Sequence, residues 1–137
     1  MASKVALEED LEVDFIISGA EEIPLPDNCV DTVLLTYTMC TIPEVKLANE
    51  EIKRVLRSDG RMIFCEHGES PDANVHKWQK RINPLWKKIA GGCNLDRNIP
   101  EIIESSGFNI EEIDTMYLPG TPQWAGYNYW GFARPNS

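Results

Sequence analysis

The chain has 137 residues, with 13 Lys and Arg against 22 Asp and Glu, and a formal net charge of −9. With 42% apolar and 26% charged residues it reads as one ordinary globular domain, which should bury roughly 65–70% of its unfolded surface. The acidity excludes nucleic acid or an anionic membrane surface as the main partner, since both need a basic face, and no run of 18 apolar residues exists to span a bilayer.

The N-terminus, MASKVALEED, lacks the apolar segment of a signal peptide. Val5 to about Asp10 reads as the tail of a helix. Val13-Asp14-Phe15-Ile16-Ile17 is a β-branched and aromatic run, hence a strand ending at Ser18-Gly19. Ala20 to Asn28, with Pro24, Pro26 and Asp27-Asn28, is a loop. Val30 to Thr38 is the strongest strand signal and is apolar on both parities, as a strand covered on both faces should be.

Pro43 opens a helix at a position where a missing N–H costs nothing. Val45, Ala48, Ile52, Val55 and Leu56 form one apolar stripe, and Gly60 is placed to stop the segment. Arg61 to Glu66 is a second buried strand, so this stretch reads as a parallel βαβ unit.

Ser70, as N-cap, starts another helix with the stripe Val75, Trp78, Ile82, Leu85, Trp86 and Ile89. Pro84 should kink it or split it. A short helix follows from about Pro100 to Ser106. Ile110–Leu118 and Tyr127–Arg134 read as strands around a Pro/Gly-rich loop, hence an antiparallel pair. Cys29, Cys40, Cys65 and Cys93 are far apart and form no CxxC. Three of them sit in or beside apolar runs and read as small buried hydrophobes; a disulfide framework is not expected, and a cytoplasmic location is.

Three sets of residues resemble one family. The first is Gly19-Ala20-Glu21-Glu22-Ile23-Pro24-Leu25-Pro26-Asp27-Asn28-Cys29-Val30-Asp31. The second is Glu50-Glu51-Ile52-Lys53-Arg54-Val55-Leu56-Arg57-Ser58-Asp59-Gly60-Arg61. The third is Phe64-Cys65-Glu66-His67-Gly68 with Trp78, Pro84-Leu85-Trp86 and Gly91-Gly92-Cys93-Asn94-Leu95. The first two resemble class I S-adenosylmethionine-dependent methyltransferases of the ubiquinone/menaquinone-biosynthesis-like group. The third resembles a subgroup that includes thiol methyltransferases. Ser58-Asp59-Gly60 stands where that family usually has Pro-Gly-Gly.

The resemblance implies an α/β fold: an incomplete Rossmann-like methyltransferase sheet of parallel strands with an antiparallel C-terminal hairpin and helices on both faces. Residues 1–137 would be one domain, the C-terminal portion of that fold without its first two strands. The family's Gly-rich cofactor turn is absent, since no GxGxG occurs anywhere. Losing two central strands would bare an edge of Val30–Thr38. Either Val13–Ile17 pairs with it directly, or a second chain covers it, as a homodimer or a complementing chain.

By resemblance the function is S-adenosylmethionine-dependent methyl transfer to a small-molecule acceptor, impaired in this chain alone. The alternatives are a catalytically silent truncated relative acting as a dimerisation or interaction module, and an inactive fragment. The resemblance puts Gly19, Ala20 and Glu21 against the adenine ring, and Tyr37 and Thr38 beside the cofactor. A plain turn and a core-capping tyrosine are the structural alternatives. Glu66 and His67, at a strand exit on the ligand side, read either as a general base or as a solvent-exposed strand end. Cys65-Glu66-His67 is a poor metal set, because adjacent strand residues point to opposite faces, and no metal is expected. Trp124 lies where the family builds part of its acceptor pocket.

Overall fold

A computed structural model describes residues 12–136. The helix expected over Val5–Asp10 lies outside those residues. In chain order the elements are β1 (Val30–Thr36), α1 (Val45–Val55), β2 (Leu56–His67), α2 (Ala73–Ile89), α3 (Ile99–Ser105), β3 (Phe108–Tyr117) and β4 (Tyr127–Pro135). The strands make one mixed sheet in the order β1-β2-β4-β3. β1 and β2 run parallel, with Leu34 opposite Ile63 and Leu35 opposite Phe64. β4 is antiparallel to both β2 and β3. The βαβ unit and the C-terminal hairpin expected from the sequence are both present.

Strand alternation sorts the side chains into two faces. Leu35, Met62, Phe64 and Ala133 point to the core, where Ile52 of α1 and Ile99 and Ile103 of α3 meet them. The stripe read on α1 is the buried one: Val45, Ala48, Ile52 and Val55 all face inward. The other sheet face carries Leu34, Ile63, Cys65, Trp130 and Phe132 in cross-strand register. Among the described residues no helix packs on it. Leu34 is 66% exposed, and Ile63, Trp130 and Phe132 are only partly covered. The two-sided apolar pattern of β1 therefore meets one helical layer, not the two expected.

Other expectations are corrected. Val13–Ile17 forms no strand and pairs with nothing in β1; Phe15 is 58% exposed and Ile17 fully so. The loop that follows is tied elsewhere. The Arg54 guanidinium donates to the carbonyls of Ile23 and Leu25, and the Ile23 N–H donates to Glu51, all on the last turns of α1. A lone apolar run gains nothing from extended structure unless an edge is presented to it.

Gly60 does not end α1. The helix closes at Leu56, which is already extended, and Gly60 lies within β2 beside a register shift. α2 is capped by Asp72, whose side chain takes the Asn74 N–H, while Ser70 Oγ takes the N–H of Asp72 itself. α2 runs through Pro84 unbroken, and its buried positions are Val75 and Gln79. Trp78, Leu85 and Ile89 of the expected stripe are exposed.

Candidate functional site

The site lies at the C-terminal ends of β1 and β2, where an open parallel sheet offers a crevice. Three segments build it: the turn after β1 (residues 37–42), the end of β2, and the loop that follows α2 (residues 90–97). Tyr37 begins the turn with φ +50°, a left-handed conformation that costs a non-glycine residue of order 1 kcal/mol or more. Its neighbours hold it there. The Tyr37 N–H donates to Cys65 O (2.9 Å), and its hydroxyl donates to Asn128 Oδ1 (2.9 Å).

Glu66 is fully buried, not a solvent-exposed strand end. Its Oε1 accepts the Thr38 N–H at 2.7 Å, and the N–H groups of Met39 and Cys40 also point to the carboxylate. Burial raises its pKa, and those backbone donors offset part of the rise. Glu66 thus anchors the turn that carries Cys40. From the far side Arg97 clamps the same turn by donating to the carbonyls of Met39, Ile42 and Pro43. Gly68 lets the loop close on the strand: a Cβ there would lie 2.6 Å from Arg97 O.

His67 turns toward the third segment. Its Nε2 lies 3.0 Å from Cys93 Sγ. Sγ of Cys40 joins them, so that the three ligand-type atoms lie within 4.8 Å of one another. Asn94 ties the segments together, its N–H and its Nδ2 both donating to Cys40 O (2.8 and 3.0 Å). Trp86 Nε1 donates to Cys93 Sγ at 3.4 Å, and Trp124 packs edge-on against Trp86.

The two thiols are pushed apart. A hydrogen bond from Cys40, aided by one from Trp86, lowers the Cys93 pKa to about 7. The same bond, together with burial, raises Cys40 to about 12. For His67, burial opposes the charged form, but Cys40 and Glu66 outweigh it and the pKa is raised. Glu66 Oε2 and His67 Nδ1 are buried without a hydrogen-bond partner. Unpaired buried polar atoms carry a cost that binding a ligand can remove.

The sequence located Tyr37, Thr38, Glu66 and His67 at this end, and the structure brings them together. It does not bring Gly19, Ala20 and Glu21 to them. Gly19 is exposed in a turn, a Cβ there would meet only atoms of Glu21, and no hydrogen bond among the described residues links these three to Tyr37 or Thr38. Cys40 and Cys93 were missed as functional residues because their apolar surroundings suit plain core cysteines. The available signal was Cys93 inside Gly91-Gly92-Cys93-Asn94, a turn sequence rather than a core strand.

The sheet with its paired site segments is a Rossmann-like α/β fold, and the comparisons agree. A family model described as "Methyltransferase domain" matches residues 1–64. The thiol S-methyltransferase TMT1B of Rattus norvegicus is 30% identical over 112 residues, 80% of this chain and 45% of that protein. The ubiquinone/menaquinone biosynthesis C-methyltransferase UbiE of Methylobacterium nodulans is 33% identical over 112 residues, 79% of this chain and 41% of that protein. A SAM-dependent methyltransferase structure from Methanosarcina mazei superposes with TM-score 0.71 at 12% identity, covering 91% of this chain and 68% of that one. The first 64 residues are thus similar in sequence to the methyltransferase-domain family, and the fold over most of the chain is that of the Methanosarcina mazei structure. The chain spans under half the length of those two curated relatives.

Proposed function

We propose that this chain carries the acceptor side of an S-adenosylmethionine-dependent methyltransferase site, and that the acceptor is a small-molecule thiol. One observation carries the reading: a strained Tyr37, an imidazole and two thiols converge where two parallel strands end. The thiol class is supported by a relative named thiol S-methyltransferase.

S-adenosylmethionine supplies an electrophilic methyl group for direct displacement. The residues present fit one side of that cofactor only. Tyr37 and Thr38 flank the crevice, but Gly19 has no wall beside it and the 137 residues contain no GxGxG turn. The donor's remaining contacts then come from a further part of a longer protein or from a complementing chain, in keeping with a domain that lacks the first two strands. The chain's own residues prepare the acceptor. His67 Nε2 takes the acceptor's proton, Glu66 is a positioning residue that holds the turn, and Trp86 with Trp124 gives an apolar edge. The four free cysteines suit a reducing, cytoplasmic setting.

Calorimetric titration with S-adenosylmethionine, followed by transfer of labelled methyl to a small aliphatic thiol, tests the reading. With the donor's remaining contacts supplied by a complementing chain or a longer protein, the expected result is saturable submillimolar binding, with transfer lost in His67→Ala. No binding at millimolar donor in that complemented form overturns the reading. The second reading is then a silent interaction module, favoured by the bare face around Leu34, where a second copy of the chain would dock as a homodimer.

A further inference from the structure

We propose that Cys40, His67 and Cys93 form a binding site for a thiophilic divalent cation, zinc above all, with one coordination position open. The inference stands apart from methyl transfer and does not rest on it. The ligand-type atoms of the three residues all lie within 4.8 Å of one another. Zinc bonds of about 2.3 Å to sulfur and about 2.0 Å to nitrogen set tetrahedral edges of about 3.5–3.8 Å, so a cation fits between these atoms. Cys93 Sγ and His67 Nε2, at 3.0 Å, lie closer than that range and must open by about half an ångström.

The three ligands come from separate segments, and each is already fixed. The turn bearing Cys40 is held by Glu66 and by both nitrogens of Asn94. Cys93 is held by Trp86, and its N–H donates to Ala90 O. His67 is locked in β2 opposite Asn128. Preorganisation of this kind lowers the ordering cost of binding. Two sulfurs and an imidazole select zinc or a softer ion over magnesium or calcium. Both thiols are buried, and His67 Nδ1 has no hydrogen-bond partner, so the cluster is sheltered from water.

Three protein ligands and a vacant fourth position are the arrangement of a catalytic zinc rather than a structural one. In the loaded form His67 Nε2 is a ligand and is not free to act as a base.

The test uses the reduced, chelator-treated protein, titrated with zinc against a chromophoric chelator and with cobalt(II) as a spectroscopic probe. One equivalent of metal should bind, with a thiolate-to-cobalt charge-transfer band. Cys40→Ser and Cys93→Ser should each weaken zinc binding at least about tenfold, while Cys29→Ser and Cys65→Ser leave it unchanged. If a cysteine variant fails to fold, His67→Gln reads the same ligand set. Absence of stoichiometric uptake by the wild-type chain, equal uptake by Cys40→Ser and Cys93→Ser, or a Cys40–Cys93 disulfide that persists with zinc present each overturns the proposal.

Discussion

Cys93 Sγ stands 3.0 Å from His67 Nε2, although the two residues lie on different segments and are joined only through the architecture of the site. Cys40 donates a hydrogen bond to Cys93 and depresses its pKa to about 7. A depressed acid is more ionised in the folded state than in the unfolded one. Its stabilising contribution is therefore complete above the ordinary thiol value and is lost as pH falls through about 7. Ultraviolet thiolate absorbance should show one cysteine titrating near that pH. The transition should vanish in Cys93→Ser and move up in Cys40→Ala. An unshifted curve in Cys40→Ala would mean that the bond between the two thiols is not what lowers the value.

Glu66 has the opposite sign. Burial raises its pKa, so the folded state holds the proton more tightly than the unfolded chain does. Stability then falls as pH rises from the ordinary carboxylate range through the raised value. Glu66→Gln removes this titration and keeps one acceptor for the Thr38 N–H. Its stability penalty should shrink as pH rises. Glu66→Ala leaves the Thr38 N–H without its acceptor and opens a cavity, and should cost roughly 2–4 kcal/mol at acid pH. Urea midpoints of wild type and both variants at pH values on either side of neutrality check the sign.

The legible parts of the sequence were those whose signal is local. The α1 stripe from Val45 to Val55 and the hairpin strands of β3 and β4 follow from periodicity and turn chemistry, and they appear almost where expected. The short helix expected from about Pro100 to Ser106 is α3, and the Asn98 side chain caps it by taking the Glu101 N–H. Trp78 and Leu85 misled, because helical spacing says which residues share a face but not whether anything covers it. Val13–Ile17 misled for the same reason: strand propensity needs a partner edge, and the loop after it is tied to α1 instead. Glu66 and His67 were legible as strand-end residues. The thiols that join His67 were not, since Cys40 and Cys93 are brought together only by the Asn94 and Arg97 bonds between distant loops.

Arg54 governs the loop before β1. Its guanidinium bridges Glu51 and Asp27 (2.8 and 2.7 Å) and donates to the carbonyls of Ile23 and Leu25. Arg54 holds the Glu51 pKa down to about 2, so the pair stays charged through the mildly acidic range. Arg54→Ala should loosen residues 20–28 without unfolding the sheet. Limited proteolysis should cut there first, and amide exchange at Ile23 should speed up. Arg54→Lys should rescue little, because an ammonium cannot span two carboxylates and two carbonyls at once. Unchanged proteolysis in Arg54→Ala would show that the loop is held by other means.

Leu34 probes the bare sheet face. It sits on edge strand β1 at 66% exposure, opposite Ile63, with Phe132 beyond on β4. An edge strand next to an uncovered apolar face is a template for association. The wild-type chain should therefore self-associate with rising concentration in sedimentation velocity. Leu34→Lys removes little buried area, so it should shift the denaturation midpoint by no more than about 0.5 kcal/mol. It should also lower the associated fraction, since a charge on an edge strand opposes pairing. The core-facing Phe64→Ala makes the contrast: it should cost roughly 3–5 kcal/mol, because Phe64 is 1% exposed and packs under the helices. Equal association of wild type and Leu34→Lys would remove this face from consideration as a contact surface, and with it the dimer reading of the chain.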